Sequence, residues 1–129
     1  MTREQKHKPP SQDTIDVFVR IVGEEHAIRE EEAMTPYLVE WRDRYRGKAA
    51  LVLRPGETQE VAAILKCANE TKTAIVPQGG NTGLVGGQIS FDKNAIIVST
   101  VRMNKIREVD ADSNTMTVDA GLTLAQAQT

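Results

Sequence analysis

The sequence predicts an α+β fold in which a small parallel α/β unit gives way to antiparallel strands. Three observations carry that expectation. An apolar run, an amphipathic helical stretch and a second apolar run follow one another between residues 49 and 76. A glycine-dense stretch comes directly after the second run. Beyond residue 104, two short strand-like segments flank a turn-rich linker. Strand, helix, strand within about 30 residues is a βαβ unit, whose strands are parallel and whose crossover is right-handed.

Taken in order, residues 1–10 are polar and read as a disordered tail. Residues 11–46 hold a first helix and a charged connection. Ser11 or Asp13 supplies an N-cap, Ile15, Phe18, Val19 and Val22 repeat at helical spacing, and Gly23 ends the pattern. Residues 24–46 are charged and weakly periodic, an irregular or short-helical stretch. Its Tyr37, Trp41 and Tyr45 are expected to anchor it to the body. The α/β unit spans residues 47–103. Ala49 to Leu53 is a buried strand closed by Arg54-Pro55-Gly56. A helix starts at Glu57 or Thr58, with Val61, Ile64, Leu65 and Ala68 as its apolar stripe. Thr73 to Val76 is a second strand, ended by Pro77, and Ala95 to Ser99 a third. From 104 to 129 a second unit opens. Ile106 to Val109 and Met116 to Val118 form a hairpin across Asp110-Ala111-Asp112-Ser113-Asn114, and Gly121 to Thr129 opens a helix that lacks a C-cap and a full apolar stripe. The chain therefore reads as the amino-terminal piece of a longer protein.

Composition narrows the function classes. The 129 residues carry 40% apolar and 26% charged residues and a net charge of −2, the profile of one globular domain. Acids and bases are interspersed, which argues against a nucleic-acid binder with its concentrated basic surface. No apolar run approaches the roughly 20 residues of a membrane span, and the polar start has no signal-peptide core. Cys67 is the single cysteine, so no intrachain disulfide forms and a reducing compartment follows. A cytoplasmic location is the resulting expectation. Cys67 lies on the flank of the apolar helix face, where a packed thiol is expected.

Five of the nine glycines fall in Gln78-Gly79-Gly80-Asn81-Thr82-Gly83-Leu84-Val85-Gly86-Gly87-Gln88. Glycines admit positive φ and let backbone N–H groups approach a ligand closely, and successive N–H groups make an anion nest. No lysine or arginine lies between Pro77 and Asp92, so a bound diphosphate must be met by amides and hydroxyls. A P-loop is excluded because Gln88 stands where its lysine would be. A dinucleotide-binding G-x-G-x-x-G is excluded by the spacing and because the loop follows a crossover instead of opening one. On composition alone, a loop that merely closes the sheet edge is an equal alternative.

The stretch Pro77 to Gly87 closely resembles the pyrophosphate loop of the FAD-linked oxidases, the vanillyl-alcohol oxidase or PCMH-type flavoproteins. It is most similar to their D-lactate and D-2-hydroxyglutarate dehydrogenase branch. The resemblance runs from about Tyr37 to Thr129. It takes in Trp41 with Tyr45-Arg46-Gly47, Val52-Leu53-Arg54-Pro55, Thr58 to Val61, Ser99 with Arg102-Met103-Asn104-Lys105-Ile106, and Val118 to Gly121. It implies a PCMH-type FAD-binding fold, with residues 47–103 as the first subdomain and 104–129 as the start of a truncated second. It implies that Gly79, Gly80, Asn81, Thr82 and Gly83 surround the FAD pyrophosphate, bordered by Pro77, Gln78, Leu84 and Gly87, with Arg54, Pro55, Ser99 and Met103 in a second tier. His7 and His26 are the only histidines and lie far upstream of the loop, so FAD is expected to be non-covalent. The implied reaction is oxidation of a small D-2-hydroxy acid to the 2-oxo acid, with hydride passing to flavin N5. The catalytic and metal-binding groups are expected beyond Thr129, and none is assigned here. Another oxidase of the same fold, acting on a sugar lactone or an alcohol, and a non-catalytic nucleotide- or phosphate-binding module stay open. The chain alone is expected neither to hold FAD firmly nor to turn over substrate, and its uncovered apolar surfaces favour a homodimer.

Overall fold

The computed structural model describes residues 8–129. His7 and most of the expected tail lie outside the described residues.

Helix α1 (Gln12–Val22) starts where Ser11 Oγ accepts the Thr14 amide and ends where Gly23, at φ 89°, donates its N–H to Val19. A 3-10 turn (Glu24–His26) leads into β1 (Ala27–Ile28), followed by α2 (Glu31–Leu38), β2 (Leu51–Leu53), α3 (Thr58–Thr71), β3 (Ile75–Gln78) and β4 (Ile96–Ser99). The four strands form one sheet in the order β1-β2-β4-β3. β2, β4 and β3 are mutually parallel, and β1 runs antiparallel along the far edge. The expected βαβ unit is present, with β4 inserted between its two strands.

Period-2 alternation sets the layers. Leu51, Leu53, Ile96 and Val98 point to one face, where Phe18 and Val22 of α1 and Ile64 and Ala68 of α3 cover them. Val52 and Ile97 point to the other, under Met34 and Leu38 of α2. β2 and β4 are thus buried on both faces, which is why they read as unbroken apolar runs. Cys67 packs beside the α1–α3 core. Burial, and then the charge of Glu70, push its thiol pKa up against a hydrogen bond from Thr71. That is the packed thiol expected from the sequence, with little thiolate to react.

After β4 comes a separate two-stranded antiparallel sheet, the hairpin β5 (Ile106–Asp110) and β6 (Thr115–Val118), followed by α4 (Leu124–Gln128). Thr123 and Gln126 close a reciprocal capping box on α4.

The structure departs from the sequence reading at four points. Pro77 lies inside β3 instead of ending it. A proline has no ladder donor, and β3 is an edge strand, where that loss is tolerated. Residues 24–46 contribute β1 and α2, so the stretch is more regular than expected, even with Pro36 within α2. Trp41 is 70% exposed, contrary to its expected anchoring role, whereas Tyr37 packs against the Met34–Leu38 core and Tyr45 against Gly86 and Phe91. Leu65 is 50% exposed and falls outside the α3 stripe, because Phe18 and Val22 cover only the Ile64–Ala68 line.

Candidate functional site

Parallel strands deliver their following loops to one end of the sheet, and ligands of α/β folds bind in the crevice there. At that end, β3 runs into the glycine loop and β4 into residues 100–103. A third segment, between β6 and α4, joins them. Gly121 N–H donates to the Met103 carbonyl at 2.8 Å, and Thr100 Oγ1 donates to the Ala120 carbonyl at 3.2 Å. The contact at Gly121 is so close that a Cβ there would stand 1.7 Å from the Thr100 carbonyl oxygen. A Cβ on Gly80 would stand 2.6 Å from Thr123 Cγ2. Residues 79–83, 100–103 and 119–123 therefore converge on one place. The end of β2 is tied in by Arg102, whose Nη1 donates to the Arg54 carbonyl at 2.7 Å.

Side chains, not glycines, fix the loop. Asn81 adopts φ 58°. Its Nδ2 donates to the carbonyls of Pro36 (3.0 Å) and Val39 (2.7 Å) at the end of α2. Gln88 Nε2 donates to Asn81 Oδ1 (3.0 Å) and to the Gly83 carbonyl (2.9 Å). Gln78 is buried and donates to the carbonyls of Tyr37 and Gln88. Arg42 Nη2 donates to the Leu84 carbonyl at 2.7 Å. Gly86, at φ 79°, lies against the Tyr45 ring. These bonds consume loop carbonyls and side chains. Among the described residues, the amide N–H groups of 79–83 make no hydrogen bond to protein. Left free on a largely exposed loop, they are the donors an anion needs.

The structure gathers all the sequence-predicted positions at this end of the sheet. Gly80, Thr82, Gly83, Leu84 and Gly87 are exposed, and Gly79 and Asn81 half-buried. Pro77 and Gln78 pair with Val98 and Ser99 in the ladder. Ser99 is fully buried, its Oγ accepting the Val101 amide, and Met103 is buried beneath Gly121. The expected reason for the glycines holds only in part. Within the loop, positive φ occurs at Asn81 and Gly86, and Gly79, Gly80, Gly83 and Gly87 do not need it. At Gly80 the requirement is space, because Thr123 occupies the position of a Cβ.

The sequence reading missed Glu40 and Arg42. Burial alone would raise the Glu40 carboxyl pKa. The amides of Arg44, Arg42 and Tyr45 and the Arg42 guanidinium outweigh it and hold the group below the usual carboxylate range. Their signal was an acid and a base two apart in a charged run, which does not stand out. His26 lies beside β1, at the sheet edge farthest from β3. Among the described residues no cluster of His, Cys, Asp or Glu could hold a metal ion. The concavity lined by Asp16, Val19, Arg20, Gly23, Glu24 and Arg29 shares no residue with the loop.

Comparison with known proteins decides the family, because the pattern of the FAD binding domain matches residues 49–129. The chain belongs to the FAD-binding domain family. A putative mitochondrial D-lactate dehydrogenase of Schizosaccharomyces pombe is 38% identical over 133 residues, covering 97% of this chain and 25% of that protein. The mitochondrial D-2-hydroxyglutarate dehydrogenase of Arabidopsis thaliana is 39% identical, covering 89% of this chain and 20% of that protein. The chain thus spans a quarter or less of these relatives. Among solved structures, alkyldihydroxyacetonephosphate synthase superposes with a TM-score of 0.76 at 20% identity, covering 98% of this chain and 26% of that one. p-Cresol methylhydroxylase gives 0.73 at 20% identity, covering 90% and 23%. Both share the PCMH-type fold expected from the loop. The expected cytoplasmic location is overturned, since relatives from fission yeast, Arabidopsis and cattle are named as mitochondrial enzymes. Composition could not have revealed this, because a single packed cysteine is equally at home in either compartment.

Proposed function

We propose that this chain supplies the pyrophosphate-binding part of the FAD site in an oxidoreductase that converts a small D-2-hydroxy acid to its 2-oxo acid. The observation that carries the proposal is the row of unbonded amides at residues 79–83, on a loop braced at the carboxyl end of β3 by the side chains of Gln78, Asn81, Gln88 and Arg42. The donor set fits a diphosphate, because Gly79, Gly80 and Gly83 place no Cβ in front of their N–H groups and the Thr82 hydroxyl adds a donor. Pro77, Gln78, Leu84 and Gly87 border the cradle, with Arg54, Pro55, Ser99 and Met103 behind it. Bound FAD supplies the hydride acceptor of the reaction. The residues of this chain position the cofactor and neutralise its diphosphate. The names of the relatives support a 2-hydroxy acid as substrate. The cofactor is non-covalent in this reading, which the placement of His26 across the sheet from the loop supports. The groups that handle the substrate proton belong to the rest of the protein.

The chain alone holds FAD weakly and turns over no hydroxy acid, because a partial site is neither preorganised nor dry. Exposed Ile106, Val109 and Met116 on the hairpin favour its self-association as a dimer. The deciding experiment is flavin content of the full-length protein carrying Gly80→Val, with Cys67→Ala as the comparison. The glycine variant should lose most of its FAD and the cysteine variant should keep it. Full flavin in Gly80→Val refutes the assignment of this loop.

A further inference from the structure

We infer that Glu40 and Arg42 form a buttress that sets the conformation of the glycine loop, making both positioning residues for the FAD diphosphate. The inference rests on the proposed function. The loop has no cation of its own between Pro77 and Asp92. It borrows one from the turn that follows α2. Arg42 reaches across 42 residues of sequence to the Leu84 carbonyl, next to Gly83, at 2.7 Å. A guanidinium donating to a carbonyl makes a stronger bond than a neutral donor does.

Arg42 is held in place from behind. Glu40 is buried, and its carboxylate accepts the amides of Arg42 (3.1 Å), Arg44 and Tyr45 (3.4 Å). Those three bonds wrap residues 40–45 into a tight turn, in which Asp43 takes φ 57°. The Glu40 carboxylate also faces Arg42 Nε at 3.6 Å. The turn sets Tyr45 against Gly86, and Phe91 meets the Tyr45 ring edge-on at 6.4 Å between centroids. Residues 84 and 86 of the loop are thus fixed by one turn whose geometry a single buried carboxylate organises. The contacts of the Glu40 carboxylate are all internal to the turn, so organising the turn is its task. A loop fixed on its outer side keeps residues 79–83 in register for an anion without ordering them at the moment of binding.

The test is a double-mutant cycle in the full-length protein, using Glu40→Gln and Arg42→Met, with FAD affinity read by titrating the flavin-free protein. Hydrogen exchange of residues 79–86 is followed in parallel, and Gly80→Val marks direct damage to the cradle. Each single variant should weaken FAD binding about tenfold and speed exchange across the loop, with exchange of β2 and β4 unchanged. Because Glu40 acts in part through Arg42 and in part through Tyr45, the double variant should be worse than Arg42→Met alone but by clearly less than the two single losses combined. Unchanged FAD affinity in Arg42→Met, with Gly80→Val losing FAD, overturns the buttress and leaves the loop assignment standing. Additive losses in the double variant overturn the action of Glu40 through Arg42. If Gly80→Val also keeps its FAD, the loop assignment itself has failed.

Discussion

Asn81 is the position where loop order and cofactor affinity should be most tightly linked, and Asn81→Ala measures that link. The side chain makes three hydrogen bonds, two as donor to the Pro36 and Val39 carbonyls and one as acceptor from Gln88. At about 1 kcal/mol each, with one of the three exposed, their loss costs roughly 2–3 kcal/mol. The backbone adds to this. Asn81 sits at φ 58°, and an alanine held there costs about 1 kcal/mol more, because asparagine tolerates the left-handed region better than other side chains do. The loop therefore loses roughly 3–4 kcal/mol of local order. Part of that is absorbed by the margin by which the native loop is ordered, so FAD affinity should fall by about ten- to a hundredfold and not by the full amount. Asn81→Gly separates the two contributions. It loses the same hydrogen bonds but accepts the backbone angle, so it should bind FAD about fivefold more tightly than the alanine variant. Titration of FAD into the flavin-free full-length variants is the assay. Wild-type affinity in Asn81→Ala, or tighter binding by alanine than by glycine, refutes the account.

Three further outcomes follow from other parts of the fold. Gly121→Ala should break the junction between turn 100–103 and residues 119–123, because its Cβ would stand 1.7 Å from backbone that cannot yield, whereas Gly87→Ala, with open space around it, should fold normally; circular dichroism and flavin content distinguish them. Ile97→Ala, in the fully buried centre of β4, should cost about 2–5 kcal/mol in urea unfolding, and Leu65→Ala, on the exposed side of α3, under about 1 kcal/mol. The Arg107 guanidinium, 2.6 Å from Asp119, and the Lys105 amide hold the Asp119 carboxyl below its usual range. A depressed folded pKa adds stability above the ordinary aspartate value of about 3.9 that is lost as pH falls through the lower folded value. Hairpin amide exchange should therefore accelerate in that acidic window in the native protein and show a flatter profile in Asp119→Asn.

The sheet was legible because burial on both faces leaves an unmistakable mark. Leu51 to Leu53 and Ile96 to Ser99 can only be central strands, and the α3 pattern between β2 and β3 makes them parallel. The position of β4 between β2 and β3 was not legible, since strand order is decided by packing after each strand has declared itself. β1 and α2 were hidden for a related reason. β1 is two residues long and pairs on one side only, and α2 buries just Met34 and Leu38, too few to establish a period. At the site, the loop announced itself through its glycines, but the hydrogen bonds by which its side chains brace it did not show in the sequence. Read along the chain, Asn81 looks like a ligand group and Gln88 only closes the glycine loop. In the fold they bind the loop to itself and to α2, and the positive φ expected of glycine is shared between Asn81 and Gly86. Glu40 and Arg42 were invisible because their meaning is a contact 42 residues away. A ligand cradle made of amides carries little sequence signature of its own. What can be read is the absence of side chains in front of it, and what cannot is the scaffold of polar side chains behind it, which decides whether those amides point the same way.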